Sequence, residues 1–559
     1  MKRFIAIACL WAACLGAGAA SLPPPGHLRC ESLENPLGIE TPRPRLSWKL
    51  GEHVPTEGVA LARRGVRQAA YRVLVATSAE RLARHEGDLW DSGIVRSDDS
   101  TQVAYEGKPL PSRQRVHWKV RWIDDAGAES AWSRTATWSM GWLRPEDWES
   151  RWITSGNESP DGLPMFRVAF RIEKPVRRAE LAICGLGFQE VRVDGVPVDV
   201  VPGSIPADTY QLEPGWTQYR KTCLYRVLDL AGRLAPGDHV LGVLLGHGMY
   251  HVPGGRYVKF TGSFGPPKLV ARLDVDFVDG SSTRITSGPD WKTAAGPITF
   301  SCIFGGEDYD ARRERPGWDR PGYDDSEWRA AVPCEGPGGR LSTRSAPPIR
   351  VVARHEPRRV ASPAPGVWVY DLGQNLSGWP RLTVRGPAGA TVKMTTGELL
   401  DENGRVSQRS SGSPVWFAYT LAGGGTENWR PRFSYTGFRY VQVEGALPAD
   451  APKDESGSPR VLRLEAEFLG PDTSEDGRFE CSNPDANRVH ALILAAIRSN
   501  YKSVLTDCPH REKLGWLECS HLLAGCLMYN HDCRRFYAKI AGDMADSQLD
   551  DGLVPSIAP

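Results

Sequence analysis

Thirteen residues, Thr506-Asp507-Cys508-Pro509-His510-Arg511-Glu512-Lys513-Leu514-Gly515-Trp516-Leu517-Glu518, gather carboxylates, a guanidinium and an indole into one short segment between two helical patterns. That is equipment for holding and protonating a sugar. A carboxyl group set against an aromatic wall can stay protonated near neutral pH, because desolvation penalises its charged form. An Asp and an Arg beside it can hydrogen-bond hydroxyls, and an indole face can stack on the C–H side of a pyranose. The same residues also read as a helix cap followed by an exposed charge cluster, since acidic residues are common near helix starts. Spacing alone leaves both readings open.

The elements that must position this segment are helical. From Asn483-Pro484-Asp485 the apolar residues Val489, Leu492, Ile493, Ala496, Ile497 and Tyr501 recur at three and four, with Pro in the first turn, which predicts an amphipathic helix. A second helix is predicted from about Leu517 to Tyr529 and a third from Asp532 to Gln548. Everything before them reads as antiparallel sheet. Leu46-Ser47-Trp48-Lys49-Leu50, Tyr71 to Val75, Val116 to Trp122 and Thr135 to Trp138 form short alternating runs between turn signals, with Trp48 and Trp118 as core candidates. Phe166 to Ile172, Val191-Arg192-Val193-Asp194-Gly195 and Val240 to Leu245 continue in the same way with Asp-Gly and Gly-rich turns. A further set runs from Val369 to Trp379 and from Phe433 to Val443. In that set Asp371 and Glu398 are a tempting carboxylate pair, Asp371 reading better as a turn residue.

The 559 residues include 19 Trp, 58 Gly and 44 Pro, a composition of many turns and large aromatic anchors, and the length allows several domains. A formal net charge of +1 with scattered basic residues argues against nucleic acid as a partner. Lys2-Arg3, the apolar run Phe4 to Leu15 and the small residues Gly16 to Ala20 read as a signal peptide over 1–20, so the protein is expected to be secreted or periplasmic. No later stretch reaches the length of a transmembrane segment. Beyond the leader lie Cys30, Cys184, Cys223, Cys302, Cys334, Cys481, Cys508, Cys519, Cys526 and Cys533. Most sit singly in apolar patterns, where Cys behaves as a small buried hydrophobe, so few disulfides are expected. Cys508-Pro-His510, Cys519-Ser-His521 and His531-Asp-Cys533 carry zinc-type ligands, but Cys-x-His pairs on helices point to different faces, and core packing is the better reading; no metal is assigned.

The run Asp507-Cys508-Pro509 leading through Arg511 and Glu512 to Gly515-Trp516 resembles the signature at the start of the helical barrel in bacterial α-L-rhamnosidases, glycoside hydrolase family 78. The family's general acid is the Glu four residues before that Trp, which implies Glu512 as the catalytic residue. Its Asp-Cys-Pro aspartate and its Trp contact the sugar, which implies Asp507 and Trp516 as substrate-binding residues, with Arg511 beside them. Two departures stand out. Family members commonly carry Arg-Asp-Glu-Arg where this chain has Arg511-Glu512-Lys513, one residue shorter, so Trp516 is the anchor of the match. A sugar-binding Asp of the family is replaced by Cys519, leaving the neighbouring Glu518 to compensate.

The resemblance covers nearly the whole chain after its leader. It includes Gly306-Glu307-Asp308-Tyr309-Asp310 with Trp318 and Trp328 downstream, and the marker Gly437-Phe438-Arg439-Tyr440. It implies a multidomain, mainly β fold: a fibronectin type III-like sandwich over 28–142, a jelly-roll β-domain over 144–341, a second β-sandwich over 349–468, and the first helices of an (α/α)6 barrel over 471–559. The implied activity is an α-L-rhamnosidase-like glycoside hydrolase that releases terminal α-L-rhamnose with inversion, its partners being rhamnose-containing glycans or glycosides. The family's general base lies further along the barrel, beyond Pro559. Little or no turnover is therefore expected from this chain alone, which reads equally as a fragment, as one part of a split reading frame completed by a second chain, or as a non-catalytic remnant. A reading from another class is a secreted rhamnose-binding module in which the sandwiches do the work. Some relatives bind rhamnose in such a β-domain through calcium; the resemblance assigns no calcium ligand here and implies no other cofactor.

Overall fold

Alternating apolar residues become strands, and residues spaced at three and four become helices, in the computed structural model. It describes residues 22–51, 65–156, 162–202, 208–344, 346–411, 414–452 and 457–559; the signal-peptide reading of 1–20 falls outside these residues. The chain divides into two units, one ending at Gly141 and one beginning at Trp142.

The first unit has a four-stranded antiparallel sheet, in which Gln68–Ala76 pairs with Arg115–Asp124 and Arg115–Asp124 with Ala136–Ser139, and a three-stranded sheet built on Gly26–Cys30 and Arg45–Lys49. One short helix, α1 (Ala79–Ala83), is capped by the Ser78 side chain. Trp48 comes from one sheet and Trp118 and Trp138 from the other, each 1% exposed. The Trp48 indole satisfies its buried N–H on Gln68 Oε1 at 3.0 Å. These tryptophans are core residues and not a sugar platform.

In the second unit, a seven-stranded and a six-stranded sheet face each other across a shared core. The seven-stranded sheet contributes Leu181, Ile183 and Leu273 to it, and the six-stranded sheet Phe166, Val191, Leu241 and Val243. Asp194 and Gly195, both with positive φ (52° and 83°), make the two-residue turn that pairs Val193 with Val196.

A third, eleven-stranded sheet is built around the long strand Val367–Arg385, which pairs with Thr436–Glu444 and Arg460–Pro471. Residues 298–310, which the sequence places in the 144–341 unit, belong to this sheet: Gly306–Asp310 runs parallel to Trp416–Thr420. The switch is made at Gly306, whose φ is 97° and where a Cβ would lie 2.0 Å from the Trp416 carbonyl oxygen.

The helices close the chain. Helix α2 (Pro484–Asn500) begins at Asn483, whose side chain accepts from the N–H groups of Asp485 and Ala486. The second predicted helix is interrupted at Leu523 (φ −91°, ψ −2°), giving α3 (Leu517–Leu522) and α4 (Ala524–Asn530). Helix α5 (Arg534–Ser547) follows. Ile497, Tyr501, Leu505, Leu527, Phe536 and Ile540 form a small core between them. Val489, Leu492 and Ile493 on α2 are exposed. No described helix is long and apolar enough to cross a membrane.

Candidate functional site

The segment after α2 is held by its own short-range bonds. Lys502, buried, donates to the carbonyls of Arg498 and Ser499 at the end of α2 and to Leu469 of the strand Arg460–Pro471, so one ammonium both caps the helix and ties it to the third sheet. Thr506 donates its N–H to the Asn500 carbonyl at 3.0 Å. Cys508 then closes a turn through sulfur: its thiol donates to Asp507 Oδ2 at 2.9 Å and its Sγ accepts the Glu512 N–H at 3.3 Å. Burial raises the Cys508 pKa, which keeps the sulfur a thiol and therefore a donor. Asp507 Oδ1 accepts from the Leu514 N–H at 3.4 Å.

Lys513 anchors the segment from below. It is fully buried, has a φ of 53°, donates its ammonium hydrogens to the carbonyls of Ile303 and Tyr435, and lies 4.7 Å from the Tyr435 ring centre. Burial pushes its pKa down to about 7. Pro509 packs on the strand that starts at Thr436: a Cβ at Gly437 would come within 2.7 Å of Pro509 Cγ, which gives the marker Gly-Phe-Arg-Tyr a reason for its glycine.

Glu512 and Trp516, four residues apart, meet: the indole N–H donates to Glu512 Oε2 at 3.1 Å. Lys259 donates to Oε1 at 2.8 Å, and Arg511 Nε is 3.8 Å from the same oxygen. The hydrogen bond from Lys259 lowers the Glu512 pKa against the opposing effect of burial. This corrects the expectation that an aromatic wall keeps the carboxyl protonated: the wall is present, but its indole N–H and a lysine both point donors at the carboxylate. Arg511 is exposed, and its carbonyl accepts from the Tyr257 hydroxyl at 2.8 Å. Glu518 is exposed in the first turn of α3, and Cys519 follows it half-buried.

Lys259 and Tyr257 carried no local signal in the sequence, because they lie some 250 positions away along the chain and meet the segment only through the fold; Lys502 and Lys513 lie beside and within the segment, but the carbonyls of Leu469, Ile303 and Tyr435 that they reach are distant along the chain. Glu398 and Asp371 do not pair. Glu398 Oε2 lies 3.7 Å from His510 Nε2. Asp371 Oδ1 accepts the Gly373 N–H at 2.7 Å, as a turn residue does, but the carboxylate also accepts from Arg439 Nε and Nη2, at 2.7 and 2.9 Å. The ten cysteines among the described residues are free thiols. Among those residues no group of three or more His, Cys, Asp or Glu side chains is placed to hold a metal ion.

Four family models match consecutive stretches of the chain. They are the Rha78A-like N-terminal immunoglobulin domain over 25–144, the alpha-L-rhamnosidase N-terminal domain over 174–353, the bacterial alpha-L-rhamnosidase concanavalin-like domain over 361–463, and the bacterial alpha-L-rhamnosidase 6 hairpin glycosidase domain over 474–559. The last contains the whole Asp507 to Glu518 segment. An α-L-rhamnosidase of Formosa agariphila is 33% identical over 92% of this chain and 55% of its own length, and one of Streptomyces avermitilis is 30% identical over 95% and 65%. The structure of the α-L-rhamnosidase from Dictyoglumus thermophilum superposes with a TM-score of 0.85 at 34% identity, covering 96% of this chain and 59% of that one. The Streptomyces avermitilis enzyme complexed with L-rhamnose superposes at 0.78, with 28% identity, covering 96% and 66%. The chain thus spans between about half and two thirds of the length of these relatives. With three consecutive domain models of one family and a shared fold across nearly all its residues, the chain belongs to the bacterial α-L-rhamnosidase family.

Proposed function

We propose that the segment Asp507 to Glu518 is part of a site that hydrolyses terminal α-L-rhamnosides with inversion. Glu512 protonates the leaving glycosidic oxygen, while Asp507, Arg511, Trp516 and Glu518 hold the rhamnosyl unit. The observation that carries this reading is the contact of Glu512 with Trp516, which puts a carboxyl group and an indole at one place in a half-buried setting. Support comes from the relative whose structure holds L-rhamnose. Export is part of the proposal and rests on the leader-like residues 1–20.

The test is release of phenol from an aryl α-L-rhamnoside, with azide present as a nucleophile for the face of the sugar opposite the acid. Release is expected, and Glu512→Gln is expected to lower it, by a few-fold for an activated aryl group and by more, up to about 100-fold, as the leaving group becomes more basic. No release, or release indifferent to Glu512→Gln, contradicts the proposal.

A further inference from the structure

The Glu512 carboxylate is surrounded by donors. Oε2 takes the Trp516 N–H at 3.1 Å; Oε1 takes the Lys259 ammonium at 2.8 Å, with Arg511 Nε 3.8 Å away. The other titratable groups around it are Tyr257, whose hydroxyl is committed to the Arg511 carbonyl, and Cys508, whose sulfur accepts the Glu512 N–H. This arrangement suits an anion. A carboxylic acid that is to give its proton to a glycosidic oxygen needs one of its oxygens free to face that atom, and here Oε1 is covered by Lys259.

The covering residue comes from far away in sequence and is built to move alone. Lys259 lies in the connection between His251–Val252 and Gly262–Ser263 of the jelly-roll region. Tyr257 fixes that connection: it is 1% exposed, stacks on Phe304 at 4.7 Å, and bonds to the Arg511 carbonyl. Two residues on, the Lys259 side chain is 44% exposed and rests near the Phe260 ring, so its head can leave Oε1 for water without disturbing the buried base.

Resting on the proposed role of Glu512, we infer that Lys259 is a positioning residue of the site: a removable counter-cation that holds Glu512 as a carboxylate and must leave Oε1 when the glycosidic oxygen arrives. The jelly-roll region then takes part in the chemistry by setting when its acid is protonated. The proton balance is simple. With Lys259 withdrawn, Glu512 takes a proton from solvent, passes it to the departing oxygen, and is left as the carboxylate that Lys259 covers again.

The test is a pH titration of the full chain labelled with 5-fluorotryptophan, following the fluorine resonance of the residue at 516, which Trp516→Phe identifies. Its indole N–H touches Glu512, so the resonance reports that carboxyl group. The wild-type midpoint is expected below the ordinary glutamate value, and Lys259→Met is expected to raise it by about one pH unit, a tenfold larger protonated fraction at a given pH. Lys259→Arg, which keeps the charge, is expected to stay near wild type. Lys259→Gln carries the same expectation as the Met variant if the latter does not fold. A midpoint that Lys259→Met or Lys259→Gln leaves in place overturns the inference. A midpoint that moves while hydrolysis ignores Glu512→Gln confirms the ion pair and overturns the proposed acid instead, so the two failures are told apart.

Discussion

Two lysines beneath the signature segment carry most of its anchoring. Lys502 and Lys513 are buried, donate only to backbone carbonyls, and flank the Tyr435 ring at 5.5 and 4.7 Å. Burial lowers both pKa values to about 7. In the unfolded chain a lysine keeps its proton to about pH 10. Between pH 7 and 10 the unfolded state therefore binds more protons than the folded one, and stability rises with pH. Melting is expected a few degrees higher at pH 9 than at pH 7, and Lys513→Met is expected to flatten that slope. A profile flat between pH 7 and 9 would show that the carbonyls keep both ammonium groups charged. At this scale the sequence was readable where partners are close along the chain: Glu512 and Trp516 meet through a four-residue spacing. Lys259 was not, since nothing near it announces a carboxylate that only the folded chain brings within 2.8 Å.

Among the elements, α2 was the most legible because its start is written in Asn483-Pro484-Asp485. The Asn483 side chain accepts at 2.9 and 3.4 Å from two N–H groups that have no partner within the helix. Asn483→Ala is expected to cost about 1 kcal/mol locally, seen as roughly fivefold faster amide exchange in the first turn of α2 with the sheets unaffected. Its apolar period gave the helix but not its surroundings: Ile497 is buried, while Val489 and Leu492 are 55% and 63% exposed. The break at Leu523 was illegible, because a one-residue departure leaves the apolar spacing on either side almost unchanged.

Across the whole molecule, the mainly β architecture followed from period-two runs and Gly-rich turns, whereas the partition of strands among sheets did not. Gly306–Asp310 follows the strand Ile298–Cys302 within a few residues, yet also pairs with Trp416–Thr420 more than a hundred positions later. Long-range pairing leaves no periodic trace, but Gly306 is the residue that permits it. Gly306→Ala would force a Cβ to within 2.0 Å of the Trp416 oxygen at a φ of 97°. It is expected to cost about 3 kcal/mol or more and to lower the melting temperature of the Trp142–Pro559 unit; an unchanged melting curve would contradict the account of this crossing.

The most direct measurement of the central claim, that Glu512 is the proton donor, compares rhamnosides whose leaving groups differ in their need for a proton. Wild type and Glu512→Gln are assayed with azide on 2,4-dinitrophenyl, 4-nitrophenyl and alkyl α-L-rhamnosides. A dinitrophenolate departs without help, so the loss in Glu512→Gln is expected to be only a few-fold there and to grow to about 100-fold or more for the alkyl glycoside. A loss of equal size on all three, or none on any, would contradict the assignment of Glu512 as the general acid.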